Sequence, residues 1–173
     1  MNIVLCGMMG AGKTTVGIRI SELSGMRWYD TDDLITQRYG SIPGIFEFYG
    51  EARFREIETE VVRSVAGEDN CVISTGGGCV LKPENSAVFK AGGGKIVFLK
   101  VDIKVLFERT GHTGDERPLL KNTTFEKMKQ LLDQRTPVYE GCADYTVDTN
   151  GMNVDEVARA ILNKFEIPVR SEK

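Results

Sequence analysis

Histidine is the scarcest chemistry-bearing residue in this chain: His112 stands alone among 173 residues. A histidine-based triad or a histidine-rich zinc site has nothing to build from. Cysteine is also thinly spread. Cys6, Cys71, Cys79 and Cys142 form no C-x-x-C pair and show no metal-ligand spacing. Two of them adjoin apolar strand-like runs, which points to a reduced, cytoplasmic chain. No apolar run approaches the ~20 residues of a membrane span, and the N-terminus enters a strand without a signal peptide. Lys and Arg total 22 against 25 Asp and Glu, a net charge of −3. A nucleic-acid footprint needs a basic face, so that partner class is set aside together with the membrane. Internal repeats, low-complexity tracts and domain linkers are missing too. With 41% hydrophobic and 27% charged residues, residues 1–173 read as one globular domain, long enough to bury a real core.

What the chain does have is Gly7-Met8-Met9-Gly10-Ala11-Gly12-Lys13-Thr14, which fits G-x-x-x-x-G-K-[ST]. With glycine near 7% of residues, this pattern arises by chance in roughly one chain in a hundred of this length. The flanks narrow it further. Ile3-Val4-Leu5-Cys6 is a short apolar run, as for a buried strand, and Val16, Ile20 and Leu23 then recur at helical spacing until Gly25. Glycines let successive N–H groups curl around a phosphate, and the helix N-terminus adds partial positive charge. Gly10, Ala11, Gly12, Lys13, Thr14 and Thr15 are therefore candidate ATP contacts. Lys13 would reach the outer phosphates and the Thr14 hydroxyl would ligate Mg²⁺.

Apolar runs alternate with helical patterns along the rest of the chain. Further strands are expected at Met26–Tyr29, Cys71–Ser74, Ile96–Leu99 and Tyr145–Val147. Helices are expected from about Asp33 to Tyr39, Glu51 to Ala66, Pro83 onward, Asp102 to Glu108 and Thr124 to Pro137. A last helix is opened by the capping box of Asn153 with Glu156. Ile42 to Gly50, with Pro43 and two glycines, reads as a connection holding at most a short helix. Residues 111–122 show no periodicity and read as a loop, and the tail from Pro168 reads as frayed. Such alternation defines an α/β fold, a parallel sheet covered on both faces, whose ligands bind outside the carboxyl ends of the strands.

Two groups of residues sit where that rule places a site. Asp30 and Asp32 follow the second strand, and residues two apart on an extended segment point the same way. One can serve Mg²⁺ and the other can accept a proton from an attacking hydroxyl, although a helix N-cap alone would explain one aspartate. Gly76-Gly77-Gly78 follow the third strand and allow close approach of a ligand. Arg53, Arg55, Arg117 and Arg135, taken singly, read as surface charges, Arg55 four residues after Glu51 fitting a surface ion pair.

Taken together, these pieces resemble the shikimate kinase family. The matching stretches are the loop at Gly7 to Thr14, Asp30-Thr31-Asp32, Gly50-Glu51-x-x-Phe54-Arg55, Gly76-Gly77-Gly78, Arg109-Thr110, Arg117-Pro118-Leu119-Leu120 and Arg135-x-Pro137-x-Tyr139. The resemblance implies a three-layer nucleoside-monophosphate-kinase-like fold with a five-stranded parallel sheet in order 2-3-1-4-5. It implies transfer of phosphoryl from ATP to the 3-hydroxyl of shikimate, in aromatic amino-acid biosynthesis, by a cytoplasmic monomer. Carried onto this chain, Arg55 and Arg135 clamp the carboxylate, with Gly76, Gly77 and Gly78 offering backbone contacts. Asp32 binds the ring hydroxyls and takes the proton, and Asp30 with Thr14 organises Mg²⁺. Lys13 and Arg117 neutralise the transferring phosphoryl group, Arg109 lies against adenine, and Asn153 closes the other side. Residues 31–66 become the substrate-binding helices and 111–122 the lid.

Two other readings compete. A kinase of another sugar acid, such as gluconate, fits the same fold, but the Asp-Thr-Asp spelling and the Gly50 to Arg55 stretch stand against it. A non-catalytic nucleotide-binding module is expected to have lost Lys13, Asp32 or Arg117, and all three are present.

Overall fold

Strands whose centres are nearly all apolar cannot leave either face in water, and here five of them pair only in parallel. They are β1 (Asn2–Cys6), β2 (Arg27–Asp30), β3 (Cys71–Ser74), β4 (Gly94–Lys100) and β5 (Tyr145–Asp148), in the order β2-β3-β1-β4-β5. The computed structural model describes residues 1–112 and 123–170, with only the backbone of residues 111 and 112. β1, at the centre, is buried along its whole length. The helices are α1 (Lys13–Ser24), α2 (Thr31–Tyr39), α3 (Ile42–Ala66), α4 (Pro83–Ala91), α5 (Ile103–His112), α6 (Phe125–Cys142) and α7 (Val154–Lys164). Right-handed crossovers that run in opposite directions put their helices on opposite faces. The chain steps from β1 back to β2 through α1, then forward through α3, α4 and α6. Hence α1 covers one face, where α7 joins it, and the forward connections cover the other. The expected fold and strand order are those observed.

A second, smaller core sits beside the sheet. Ile35 of α2 packs with Ile45, Phe54, Ile57 and Val61 of α3. It extends one expectation, because the short helix read within Ile42 to Gly50 takes up the whole segment as far as Gly50. Ser41 caps the segment by accepting from the Gly44 N–H at 3.2 Å. Pro43 falls in the first turn, where a missing N–H costs nothing. Phe46 then lies on Phe54 with ring centroids 4.7 Å apart. The break comes at Gly50 instead, whose φ of 80° and ψ of 173° kink α3 into two halves.

Three boundaries also differ from those expected. Helix α6 runs through Pro137 to Cys142. A proline deletes one backbone donor but does not forbid the next turn when packing holds it. Tyr139, two residues on, is fully buried, stacked on Phe98 at 5.0 Å, and its hydroxyl donates to the Gly77 carbonyl at 2.5 Å. Helix α5 extends to His112, two residues into the expected loop. The tail is held as far as Arg170, whose N–H donates to the Leu23 carbonyl at 2.7 Å.

Candidate active site

The carboxyl ends of β1, β2 and β3 open onto a cleft of about 520 Å³, well within the size of a ligand pocket. At one end stands the glycine loop. Gly12 takes a left-handed conformation, φ 87°, and α1 starts behind it with no side-chain cap. The first N–H groups of a helix have no intrahelical partner. Those of Lys13, Thr14 and Thr15 thus face the cleft, which these residues line together with Gly10 and Gly12. Lys13 folds over the loop, its Nζ donating to the carbonyls of Gly7 and Met8, both at 2.8 Å. Ala11 is buried and turns its N–H back to Met8 O at 3.1 Å, so it shapes the turn rather than offering a donor.

Asp30 does two jobs at once. It is the N-cap of α2, its Oδ1 accepting from the N–H groups of Asp32 at 2.9 Å and Asp33 at 3.4 Å. Its Oδ2 accepts from the Thr14 hydroxyl at 2.9 Å. Asp32, in contrast, is not on an extended segment beside it but in the first turn of α2. Both carboxylates still line the cleft, because the helix turns Asp32 back over Gly76. A Cβ placed on Gly76 would lie 2.8 Å from Asp32 Oδ1. Thr31 pins this contact, its buried hydroxyl accepting from the Gly76 N–H at 3.1 Å.

The Gly76–Gly78 run is the floor of the other end. A Cβ on Gly78 would come within 2.6 Å of an Arg55 guanidinium nitrogen, and one on Gly77 within 3.3 Å of Arg135. Both arginines therefore bracket the run. Arg53 does not: two residues from Arg55 it points about 200° away around the helix, where it pairs with Glu56 and Glu60 in water. Arg55 is anchored by its neighbours Phe54 and Ile57 in the small core and by Glu58, whose Oε2 takes its NH1 at 2.9 Å. The Glu51 pair, at 3.5 Å, is the outer member of this set.

Glu58 escaped the sequence reading. Only 1% exposed, it keeps an oxygen, Oε1, with no hydrogen-bond partner among the described residues. Burial pushes its carboxyl above the usual range while Arg55 pulls against that, Asp32 raises it further and Arg135 lowers it. One electrostatic cluster thus joins α2, α3 and α6 around the glycines. Its position three residues after Arg55, on the same helical face, was the available signal. Tyr139, which fixes Gly77, was legible only as part of a motif.

Arg109 leans over the loop, NH1 donating to the Gly10 carbonyl at 3.2 Å, and lines the cleft. Thr75, Thr110 and Val154 line it too and were not foreseen. Asn153 is engaged in its capping box, accepting from Glu156 N at 2.9 Å while its own N–H goes to Glu156 Oε2 at 2.7 Å. Its neighbour Val154 is the residue of that segment that meets the cleft. Arg117 and most of the expected lid lie outside the described residues.

A glycine-loop helix N-terminus beside two carboxylates at the carboxyl edge of a 2-3-1-4-5 sheet defines a phosphoryl-transferring enzyme. The comparisons with known proteins give the family. The family model for shikimate kinase matches residues 9–166. Shikimate kinase of Geobacter sulfurreducens is 44% identical over 163 residues, covering 92% of this chain and 88% of that protein. That of Methylococcus capsulatus is 41% identical over 167 residues, covering 95% and 92%. Among solved structures, shikimate kinase from Acinetobacter baumannii in complex with shikimate superposes with a TM-score of 0.89 at 37% identity, covering 95% and 92%. That from Aquifex aeolicus gives 0.80 at 36%, covering 96% of each chain. This chain belongs to the shikimate kinase family, and it is a kinase. Deoxyadenosine kinase from M. mycoides, 16% identical with a TM-score of 0.64, shares the fold.

Proposed function

We propose that this chain moves the γ-phosphoryl group of ATP onto the 3-hydroxyl of shikimate, forming shikimate 3-phosphate for aromatic amino-acid biosynthesis. One observation carries the assignment of its parts. The glycine floor has Asp32 at its first residue and Arg135 and Arg55 at the next two, and its Asp32 end meets the loop's cleft. A small hydroxylated carboxylic acid laid on that floor puts its carboxylate between two guanidinium groups, where charge-assisted bonds are strong. Its hydroxyls then face Asp32, which accepts the proton as the hydroxyl oxygen attacks. The buried Oε1 of Glu58 supplies a further acceptor near Gly76.

At the other end Gly10, Gly12 and the N–H groups of Lys13, Thr14 and Thr15 hold the phosphates, Lys13 meets the outer ones, and Arg109 lies toward the base. Thr14 and Asp30 present a hydroxyl and a carboxylate 2.9 Å apart. Hard oxygens in this number suit Mg²⁺, which keeps most of its waters and takes one or two protein ligands. When bound there it neutralises charge on the phosphates. The role of Arg117 at the phosphoryl group rests on the family resemblance. We read the enzyme as a cytoplasmic monomer acting on small molecules, and light scattering checks the monomer.

An ADP-release assay across shikimate, quinate and gluconate tests the substrate. Shikimate should turn over with the highest kcat/KM. Gluconate turning over equally well would replace this reading with the sugar-acid kinase one.

A further inference from the structure

Glycine is a poor residue for a helix interior, where it costs stability relative to alanine. Gly17 nevertheless opens the second turn of α1, buried, with a φ outside the left-handed region that would demand glycine. Space is what demands it. A Cβ there would lie 2.5 Å from Ser74 Oγ and 2.7 Å from Trp28 Nε1. The helix thus carries a notch, and two polar side chains from β3 and β2 fill it.

Ser74 ends β3, is wholly buried and does not line the cleft. Its hydroxyl donates to the Lys13 carbonyl at 2.9 Å and accepts from Trp28 Nε1 at 3.1 Å. Chemistry fixes the direction of both bonds. An indole N–H can only donate, so the Ser74 oxygen accepts from it and the single hydroxyl proton is left for Lys13. Trp28, half-buried against the main core, is the stop that aims the hydroxyl.

We propose that Ser74, aimed by Trp28 and admitted by Gly17, is a positioning residue that seats the first turn of α1 for ATP. Its effect on ATP rests on the reading above that the N–H groups and Lys13 of that turn hold the phosphates. Asp30 and Ser74 stand opposite each other in the β2–β3 ladder. Thr14 is bonded to the first and Lys13 to the second, so two consecutive loop residues are tied to one sheet pair. The two ties differ in their exposure to ligands. Thr14 and Asp30 line the cleft and are the groups offered to Mg²⁺, whereas the Ser74 bond lies outside it. Ser74 therefore keeps the turn on the sheet while the other tie is in use.

Losing the hydroxyl should act on one substrate only. The Ser74 backbone is held on both sides, in register with Leu5 of β1 and Asp30 of β2. The glycine floor that begins two residues later thus stays in place. The turn that aims the phosphate donors does not, and a misplacement of about 1 Å can cost on the order of 10²-fold.

The test measures ADP release by the whole enzyme with ATP and shikimate varied in turn. Ser74→Ala should raise ATP KM about tenfold and leave shikimate KM within about twofold. Trp28→Phe keeps the bond to Lys13 but not its aim, so it should raise ATP KM by less, about threefold. It also keeps the test open if Ser74→Ala does not fold. Gly17→Ala should raise ATP KM as well, because its methyl displaces the hydroxyl. Were Gly17 only a helical residue, alanine would raise the denaturation midpoint and leave ATP KM alone, which would overturn the notch. An ATP KM within twofold of wild type in both Ser74→Ala and Trp28→Phe would overturn the proposal. Equal rises in both KM values would overturn it too, leaving Ser74 a support of the fold at large. Lys13→Ala, titrated calorimetrically with ATP, separates the underlying reading. Unchanged ATP affinity there would mean that the phosphates are held elsewhere. ATP binding lost in Lys13→Ala but intact in Ser74→Ala would remove the role of Ser74 alone.

Discussion

The phosphate end of the cleft is made by eight consecutive residues, whereas the acid end is assembled from α2, both sides of the β3 exit, α3 and α6. At the first, backbone N–H groups are aimed by a local turn, and the buried side chains of Met8 and Met9 reach the acid end, Met8 Sδ accepting from Arg135 NH1 at 3.9 Å and Met9 lying against Gly77. At the second, side chains from sites up to 103 residues apart, Asp32 and Arg135, meet over three glycines with no side chains of their own. A locally built end fails chiefly when its own residues change. A packed end also fails when its supports do, and Thr31, Glu58 and Tyr139 are such supports.

The largest effect should come where the two ends meet. Asp32→Asn keeps size and most hydrogen bonding but cannot take a proton, so kcat should fall about 10²–10⁴-fold. Asp30→Asn should chiefly raise the Mg²⁺ needed for half-maximal rate. If Asp30→Asn abolishes turnover at saturating Mg²⁺ while Asp32→Asn keeps it, the two roles are reversed.

Next come the arginines of the acid end, of which Arg135 also donates to Met8 Sδ of the glycine loop at 3.9 Å. Truncating Arg135 or Arg55 to Ala should cost about 2–5 kcal/mol, roughly 30- to several-thousand-fold in shikimate KM, with ATP KM nearly unchanged. Arg135 should be the worse loss, because it is only 7% exposed and Arg55 is more open and already shared between Glu51 and Glu58. Arg53→Ala is the control and should leave both constants alone, as for exposed pairs worth well under ~1 kcal/mol. A raised ATP KM in Arg135→Ala would mean the ends are not separable.

The glycine floor sharpens the point with smaller changes. Gly78→Ala puts a methyl where Arg55 lies and should raise shikimate KM by up to about 10²-fold through a displaced guanidinium. Gly77→Ala, whose methyl would meet Arg135 at 3.3 Å, should do less. Equal effects would show that backbone freedom, not side-chain clearance, selects glycine there.

The smallest effect concerns pH and stability rather than turnover. A carboxyl whose folded pKa is raised is neutral in both states below the ordinary glutamic range. The cost of its buried charge enters as pH rises through the folded value. Glu58 is such a group, raised chiefly by burial. The parent should thus lose stability relative to Glu58→Gln as pH climbs from the ordinary range through the raised value. Denaturant midpoints of the two proteins measured from acid to neutral pH check this, and a gap that stays constant or closes would mean Glu58 is not held up by burial.

Much of this molecule was legible before folding because much of it is local. The glycine loop, the Asn153 capping box, the alternation of apolar runs with helices and the Asp30 cap depend on residues a few positions apart, where spacing alone decides which groups can meet. Pro137 misled for the same reason. A local rule ends a helix there, but Tyr139 is held by Phe98 of β4 and by Gly77 in the turn after β3, and packing overrode the rule. Gly50 rather than Gly44 became the kink because Ile45 and Phe46 had a core to enter. The electrostatic cluster at the acid end, with Glu58 buried inside it, exists only once α2, α3 and α6 close around the β3 exit. The sequence by itself determined the chemistry available and the elements that carry it. The tertiary structure alone decided which arginines face the glycines and which face water, because burial and the path of each helix, not residue type, set where a charge can lie.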